Sequence, residues 1–232
     1  MKHIIIPTLN EAENIGVLIK QIYQYLDPSD TMILVVDDNS IDTTHDVVRE
    51  MAQEFPHVKL IVRRNERGLG TAVRKGASLI DEGPVVVMDA DLSHHPRHLP
   101  AMFQKLSDGA DVVVGSRYVS GGGIRGWPGS RVAVSQVATL IAKILFRTPV
   151  NDPMSGFVGC RSPKILVDGI DYADFKFLLE LLVKNRTLKV GEVPITFQDR
   201  LKGSSKLKAK TIGLYLSLVL KLMLESGSRN RQ

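Results

Sequence analysis

Cysteine is almost missing from this chain of 232 residues: Cys160 stands alone, so no intrachain disulfide can form and no cysteine cluster can hold zinc. In Gly156-Phe157-Val158-Gly159-Cys160 the thiol reads as a small core residue rather than a nucleophile. Long apolar runs are missing too. No uncharged stretch approaches the roughly 20 residues that a membrane-spanning helix needs, and the longest candidate, residues 211–220, is flanked by Lys210 and Lys221. The N-terminal segment before Pro7 is too short for a signal peptide and carries no cleavage site. Acids fade from the C-terminal end, where Arg200, Lys202, Lys206, Lys208, Lys210, Lys221, Arg229 and Arg231 face the single acid Glu225. Such an end attracts phosphate-rich partners: nucleotides, nucleic acid or an anionic membrane. What remains is ordinary for one large α/β domain, with or without a short appendage: 44% hydrophobic residues, 24% charged and a net charge of +5.

The first half alternates between two periods. Apolar runs at 3–6, 32–36, 58–62, 85–88 and 111–115 predict strands. Between them, helices are predicted over 11–26, with Asn10 as its cap, over about 42–54, from near Gly68-Leu69-Gly70-Thr71, and after Pro96. Strands separated by helices of this length imply βαβ units and a Rossmann-like, mostly parallel sheet. Farther on, Ser120-Gly121-Gly122-Gly123 and Gly126-Trp127-Pro128-Gly129 read as a flexible loop, either a lid or a plain surface connection. A helix over about 132–146, strands at 157–160 and 189–197, and a helix near 175–184 follow. At the end, Lys206, Lys210, Gly213, Ser217 and Lys221 form a polar stripe, opposite Ile212, Tyr215, Leu216, Val219, Leu222 and Met223. Residues 1–206 thus read as the main domain and 207–225 as an amphipathic helix. That helix either lies in a membrane interface or packs on the domain's own core. Residues 226–232 read as a disordered tail.

Chemistry concentrates where strands end. Val85-Val86-Val87-Met88 runs into Asp89-Ala90-Asp91, and a continuous apolar run of this kind is a strand buried on both faces. Its acids then fall at the carboxyl edge of the sheet, where open α/β sheets bind ligands. Asp89 and Asp91, at i and i+2, can converge on one hard cation such as Mg²⁺ or Mn²⁺ that grips a diphosphate. Ile6-Pro7-Thr8-Leu9-Asn10-Glu11 and Val35-Val36-Asp37-Asp38 bring further acids to the same edge. Singly, Glu11 is a first-turn helix acid and Asp38 a cap; together with the aspartate pair they crowd one crevice and call for a cation. The basic complement is Arg117, Arg131, Lys176, Arg200, Lys202 and Lys206, of which the 200–206 group is equally readable as a solvated loop. His94, His95 and His98 invite zinc, yet neighbouring histidines diverge and the paired acids favour a hard ion.

In this order the motifs resemble the GT-A family 2 glycosyltransferases, and within them the dolichol-phosphate mannose synthases. The resemblance rests on Pro7-Thr8-Leu9-Asn10-Glu11, Val36-Asp37-Asp38-Asn39-Ser40, Asp89-Ala90-Asp91-Leu92-Ser93-His94-His95-Pro96 and Gly115-Ser116-Arg117-Tyr118. Gly126-Trp127, Arg131, Ser135, Asp199-Arg200, Gly203, Ser205 and Lys206 extend it over nearly the whole chain. By resemblance, Pro7, Leu9, Glu11, Val36 and Asp38 line the nucleoside pocket with Ala90. Asp89 and Asp91 hold the metal, with Ser93 at the position of a third ligand that is Gln in some relatives. Arg117, Arg131 and Ser135 meet an acceptor phosphate; Lys176, Arg200 and Lys206 contact the donor.

The resemblance implies metal-dependent, inverting transfer of mannose from GDP-mannose to dolichyl or another polyprenyl phosphate. Asp91, Arg117 and Arg131 are the expected catalytic groups and Mg²⁺ or Mn²⁺ the cofactor. The same fold serving another donor such as UDP-glucose, and a non-catalytic sugar-nucleotide-binding protein, are the rival readings. The implied partners are the two substrates and a membrane surface, with a membrane-embedded protein as a further expectation and no nucleic acid. The expected place is peripheral, at the cytoplasmic face of a membrane. Many archaeal relatives add transmembrane helices after the stretch matching 206–224, so this chain is expected to be either a naturally short form that needs membrane partners or one truncated before such helices.

Overall fold

The computed structural model describes residues 1–170, 176–199 and 209–229, and within the last segment the side chains of 213–225. The first half follows the predicted alternation: β1 (Lys2–Thr8), α1 (Ala12–Tyr25), β2 (Thr31–Asp37), α2 (Thr44–Glu54), β3 (Val58–Val62), α3 (Leu69–Ala77) and β4 (Val85–Val87). A single 3-10 turn at Pro96–His98 leads into α4 (Leu99–Ser107), then β5 (Val112–Ser116), β6 (Gly123–Arg125) and α5 (Gly129–Phe146). The chain closes with β7 (Val158–Cys160), α6 (Pro163–Gly169), α7 (Phe177–Lys184), β8 (Val190–Pro194), β9 (Thr196–Gln198) and α8 (Ala209–Arg229).

Seven strands form one sheet in the order β3-β2-β1-β4-β7-β5-β8, and only β7 runs against its neighbours. The apolar strand residues alternate between two cores, as a period of two requires. Ile4, Ile6, Ile33 and Val35 pack under α1, α2 and α4. Ile5, Leu34, Val36, Val85 and Val87 pack under α3, α6 and α7. Because β7 is reversed, Val158 sits beside both Val87 and Val114, and the residues before it emerge at the carboxyl edge of β4 and β5. That reversal supplies the candidate site with a second set of side chains.

Four expectations change. Asn10 does not cap α1; Glu11 takes that position, while Asn10 adopts φ 55° and its side chain accepts from the Ile41 N–H at 2.9 Å. The glycine-rich loop is not wholly free, since β6 pairs in parallel with β9 in a second, two-stranded sheet. Gly122 fits there because a Cβ would come 2.6 Å from the Ser116 carbonyl, and Gly126 because its φ is +84°. The run predicted as one strand at 189–197 is divided into β8 and β9. Helix α8 continues to Arg229, so 226–229 are helical where a disordered tail was expected.

Helix α8 packs on the domain's own core through one part of its apolar side and leaves the other part exposed. Tyr215, Leu218, Val219 and Leu222, at i, i+3, i+4 and i+7, pack with Ala142, Phe146, Met154, Leu179 and Val183 from α5, α7 and the loop before β7. Leu216, Leu220, Met223 and Leu224 remain exposed.

Candidate active site

β4 delivers its acids with their surroundings already fixed. The Asp89 N–H donates to His94 Nδ1 at 3.3 Å. Burial holds the His94 pKa below its usual value even though Asp89 and Asp91 pull the other way. The ring is therefore neutral with Nδ1 as acceptor, stacked on Phe157 at 5.0 Å between centroids. Gly156 backs the Asp89 carboxylate, for a Cβ there would lie 3.3 Å from Oδ2. Leu92 turns the chain at φ 62°, an uncommon conformation for a branched residue. That turn brings the Ser93 N–H and Oγ back to Asp91 Oδ1, at 3.1 and 2.6 Å. Ser93 thus orients Asp91, a residue only 5% exposed.

Asp89 and Asp91 offer oxygen donors alone, which fits a hard divalent cation. Among the described residues no cluster of three or more His, Cys, Asp or Glu side chains could hold a metal, so water and substrate oxygens would complete the shell. Mg²⁺ is commonly bound in that way, by one or two carboxylates and substrate phosphates.

The opposite wall is cationic. Arg117 follows β5 and is gripped by Asp152: Nε donates to Oδ2 and Nη2 to Oδ1, both at 2.7 Å, and the Arg117 backbone N–H adds a third bond at 3.1 Å. Burial disfavours the Arg117 charge, but the hydrogen bonds and charge of Asp152 more than offset it, and its pKa rises. Arg131, on the first turns of α5, donates from Nη1 to Asp199 at 2.9 Å and lies over the Trp127 ring at 3.9 Å. Tyr118 donates to Ser135 Oγ at 2.9 Å, tying the end of β5 to α5. Lys176 donates to the Met154 carbonyl at 2.9 Å. Its pKa falls to about 8, chiefly through burial, with repulsion from Arg117 adding to it.

These groups share one cavity of about 720 Å³. Pro7, Leu9, Glu11, Asp89, Ala90, Asp91, Arg117, Arg131, Ser135 and Lys176 all line it, as the sequence suggested. Val36, Asp38 and Ser93 are not among the lining residues. The Val36 side chain is fully buried in the core under α3. Asp38 accepts from Arg63 Nε at 2.7 Å and from the Gly68 N–H at 2.8 Å, which pins the start of α3. Arg200 and Lys206 lie outside the described residues.

Sequence reasoning named Trp127 and His94 without a place in the site and missed Asp152, Met154 and Phe197. Asp152 and Met154 come from the loop ahead of the reversed β7, and no periodicity marks them. Trp127, Phe197 and His94 form an edge-to-face series, 5.2 and 5.3 Å between centroids, that joins the arginine side to the acidic side.

The cavity extends along α5 and α8, lined there by Val134, Val137, Ala138, Ile141, Tyr215 and Leu216. On α5 Val137, Leu140, Ile144 and Leu145 are exposed, as Leu216, Leu220, Met223 and Leu224 are on α8. Helix α5, rather than the segment 211–220, is long and apolar enough to cross a membrane by length and composition: 18 residues of mean hydropathy 1.3, 17% buried. At 1.5 Å per residue it measures about 27 Å, and it carries Arg131 and Lys143.

Comparison with known proteins shows the family and the fold. Residues 3–163 match the family model for Glycosyl transferase family 2. The chain is 40% identical to the dolichol-phosphate mannosyltransferase of Pyrococcus furiosus over 98% of its own length, spanning 65% of that protein. It is 38% identical to the Saccharomyces cerevisiae protein of the same name, over 98% of this chain and 89% of the relative. Among solved structures, glucosyl-3-phosphoglycerate synthase from Mycobacterium tuberculosis, in complex with Mn²⁺, UDP and phosphoglyceric acid, superposes with a TM-score of 0.72 at 19% identity, covering 97% of this chain and 78% of that one. The same enzyme with Mg²⁺ and UDP gives a TM-score of 0.73, also at 19% identity, over 97% and 79%. At that identity the likeness concerns the fold, a mostly parallel sheet flanked by helices. With the family model matched from the first strand to the start of α6, the chain belongs to glycosyl transferase family 2.

Proposed function

We propose that this chain transfers mannose from GDP-mannose to dolichyl or another polyprenyl phosphate, inverting the anomeric centre to give a lipid-linked mannosyl phosphate. One observation carries the reading: a single cavity is lined by paired carboxylates, by two arginines and, along α5 and α8, by exposed apolar side chains. The names of the two relatives, both dolichol-phosphate mannosyltransferases, support the choice of sugar and lipid. Pro7, Leu9, Glu11 and Ala90 take the nucleoside, and Lys176 the diphosphate with Arg200 and Lys206. Asp89 and Asp91 hold Mg²⁺ or Mn²⁺, with Ser93 fixing Asp91. That ion, when bound, offsets the charge of the departing diphosphate.

Arg117, Arg131 and Ser135 hold the acceptor phosphate. A phosphate monoester has a second pKa of about 6, so its oxygen is anionic at neutral pH and needs no general base. This oxygen forms a bond to the anomeric carbon as the bond to the diphosphate oxygen breaks. The electron pair leaves with GDP, whose charge Lys176 meets without prior reorganisation. The lipid chain follows the apolar lining between α5 and α8, whose exposed faces enter the cytoplasmic leaflet beside any membrane-embedded partner. Incubating the protein with labelled GDP-mannose, Mn²⁺ and a short polyprenyl phosphate tests this. Labelled lipid is the expected product. Product from UDP-glucose alone would replace the donor, and GDP binding without turnover would make the protein a non-catalytic binder.

A further inference from the structure

Trp127 is the only tryptophan in the chain, and it stands between β6 and α5 at the cationic wall. The Arg131 guanidinium lies over its ring at 3.9 Å and that of Arg117 at 5.4 Å. Two like charges brought to one corner repel, while an indole face carries the negative part of a ring quadrupole and attracts both. Asp152 grips Arg117 and Asp199 grips Arg131; the indole lies against both guanidiniums. Phe197 meets the indole edge-on at 5.2 Å and limits its tilt.

The corner is also short of acceptors. Arg131 Nε and Trp127 Nε1 are buried with no hydrogen-bond partner among the described residues. Buried unpaired donors are costly, and they persist where the surrounding structure holds them for an acceptor that arrives with a ligand. An anionic oxygen is the acceptor suited to two guanidiniums and an indole N–H.

We propose that Trp127 is a positioning residue that fixes Arg117 and Arg131 relative to one another for the acceptor phosphate. The inference rests on the acceptor reading given above and adds a residue to it. Without the ring, Arg131 is free to settle fully on Asp199, and the two guanidiniums no longer converge. Donor binding, which uses Pro7, Leu9, Glu11, the aspartate pair and Lys176, is untouched.

The test uses the full chain with Trp127→Leu and Trp127→Phe. For Trp127→Leu the KM for a short polyprenyl phosphate is expected to rise about tenfold, the scale of one desolvated cation–π contact, while the Kd for GDP by calorimetry stays within about twofold. Trp127→Phe, which keeps a ring, recovers most of the loss. In the wild type, emission from this single tryptophan shifts on adding polyprenyl phosphate and not on adding the matching polyprenol. An unchanged acceptor KM in Trp127→Leu, an equal loss of GDP binding, or no recovery in Trp127→Phe overturns the role of Trp127. A wild type that neither turns over nor shifts its emission instead overturns the lipid-phosphate reading, and with it the acceptor assigned to this corner.

Discussion

Asp152 commits both carboxylate oxygens to Arg117 and is itself fully buried. Removing half of such a pair strands a charge away from water, so Asp152→Asn should destabilise the fold by about 3 kcal/mol in denaturant titration, and a loss under 1 kcal/mol would mean that Arg117 finds other partners. Asp91→Ala acts differently, because it relieves repulsion from Asp89: turnover should vanish while the thermal midpoint moves by only a few degrees, and retained turnover would contradict a metal role. Lys176 makes the site sensitive to pH. Its pKa is lowered to about 8, so its charge is present below that pH and fades above it. An anion prefers the protonated form; the GDP affinity of the wild type should therefore weaken between pH 7 and 9, and that of Lys176→Gln should not share the step. Of these three residues, the sequence exposed Asp91 and Lys176 as site members. Asp91 ends an apolar run, a pattern with physical meaning. Asp152 lies 35 residues beyond Arg117, and only the folded chain brings them together.

Helices α5 and α8 divide the work of the apolar surface. Sequence periodicity found the amphipathic side of α8, yet it could not tell which apolar residues pack on α5 and α7 and which stay outside. That choice is a matter of neighbours, not of spacing. The exposed face of α5 went unread because its apolar residues surround the helix, leaving little contrast to detect. Ile144→Glu together with Leu220→Glu places charge on this outer face, away from the cavity lining. Sedimentation with anionic vesicles should drop at least about fivefold, with activity on a short, soluble acceptor preserved; equal vesicle binding would separate the apolar faces from the membrane. Strand β3 matches its predicted range and β1 and β2 extend one to two residues beyond theirs, since β-branched runs bounded by turn residues leave few alternatives. The three-residue strands β6 and β9 and the seven-residue helix α6 are too short to show a period, and tertiary pairing defines them.

At the level of the whole molecule, the sequence conveyed a mostly parallel sheet with the site at its carboxyl edge, but not the order of its strands. β4 and β5 are consecutive in the chain, yet β7 enters between them from far downstream. The same insertion carries the loop that holds Arg117 and backs Asp89. Its reversed direction has a further consequence during synthesis. Until residue 160 has left the ribosome, Val85–Val87 and Val112–Val114 present two valine-lined edges with open backbone donors and acceptors. At that stage the loop that holds Arg117 has no strand to anchor it, and the two halves of the sheet join only when β7 pairs with both edges.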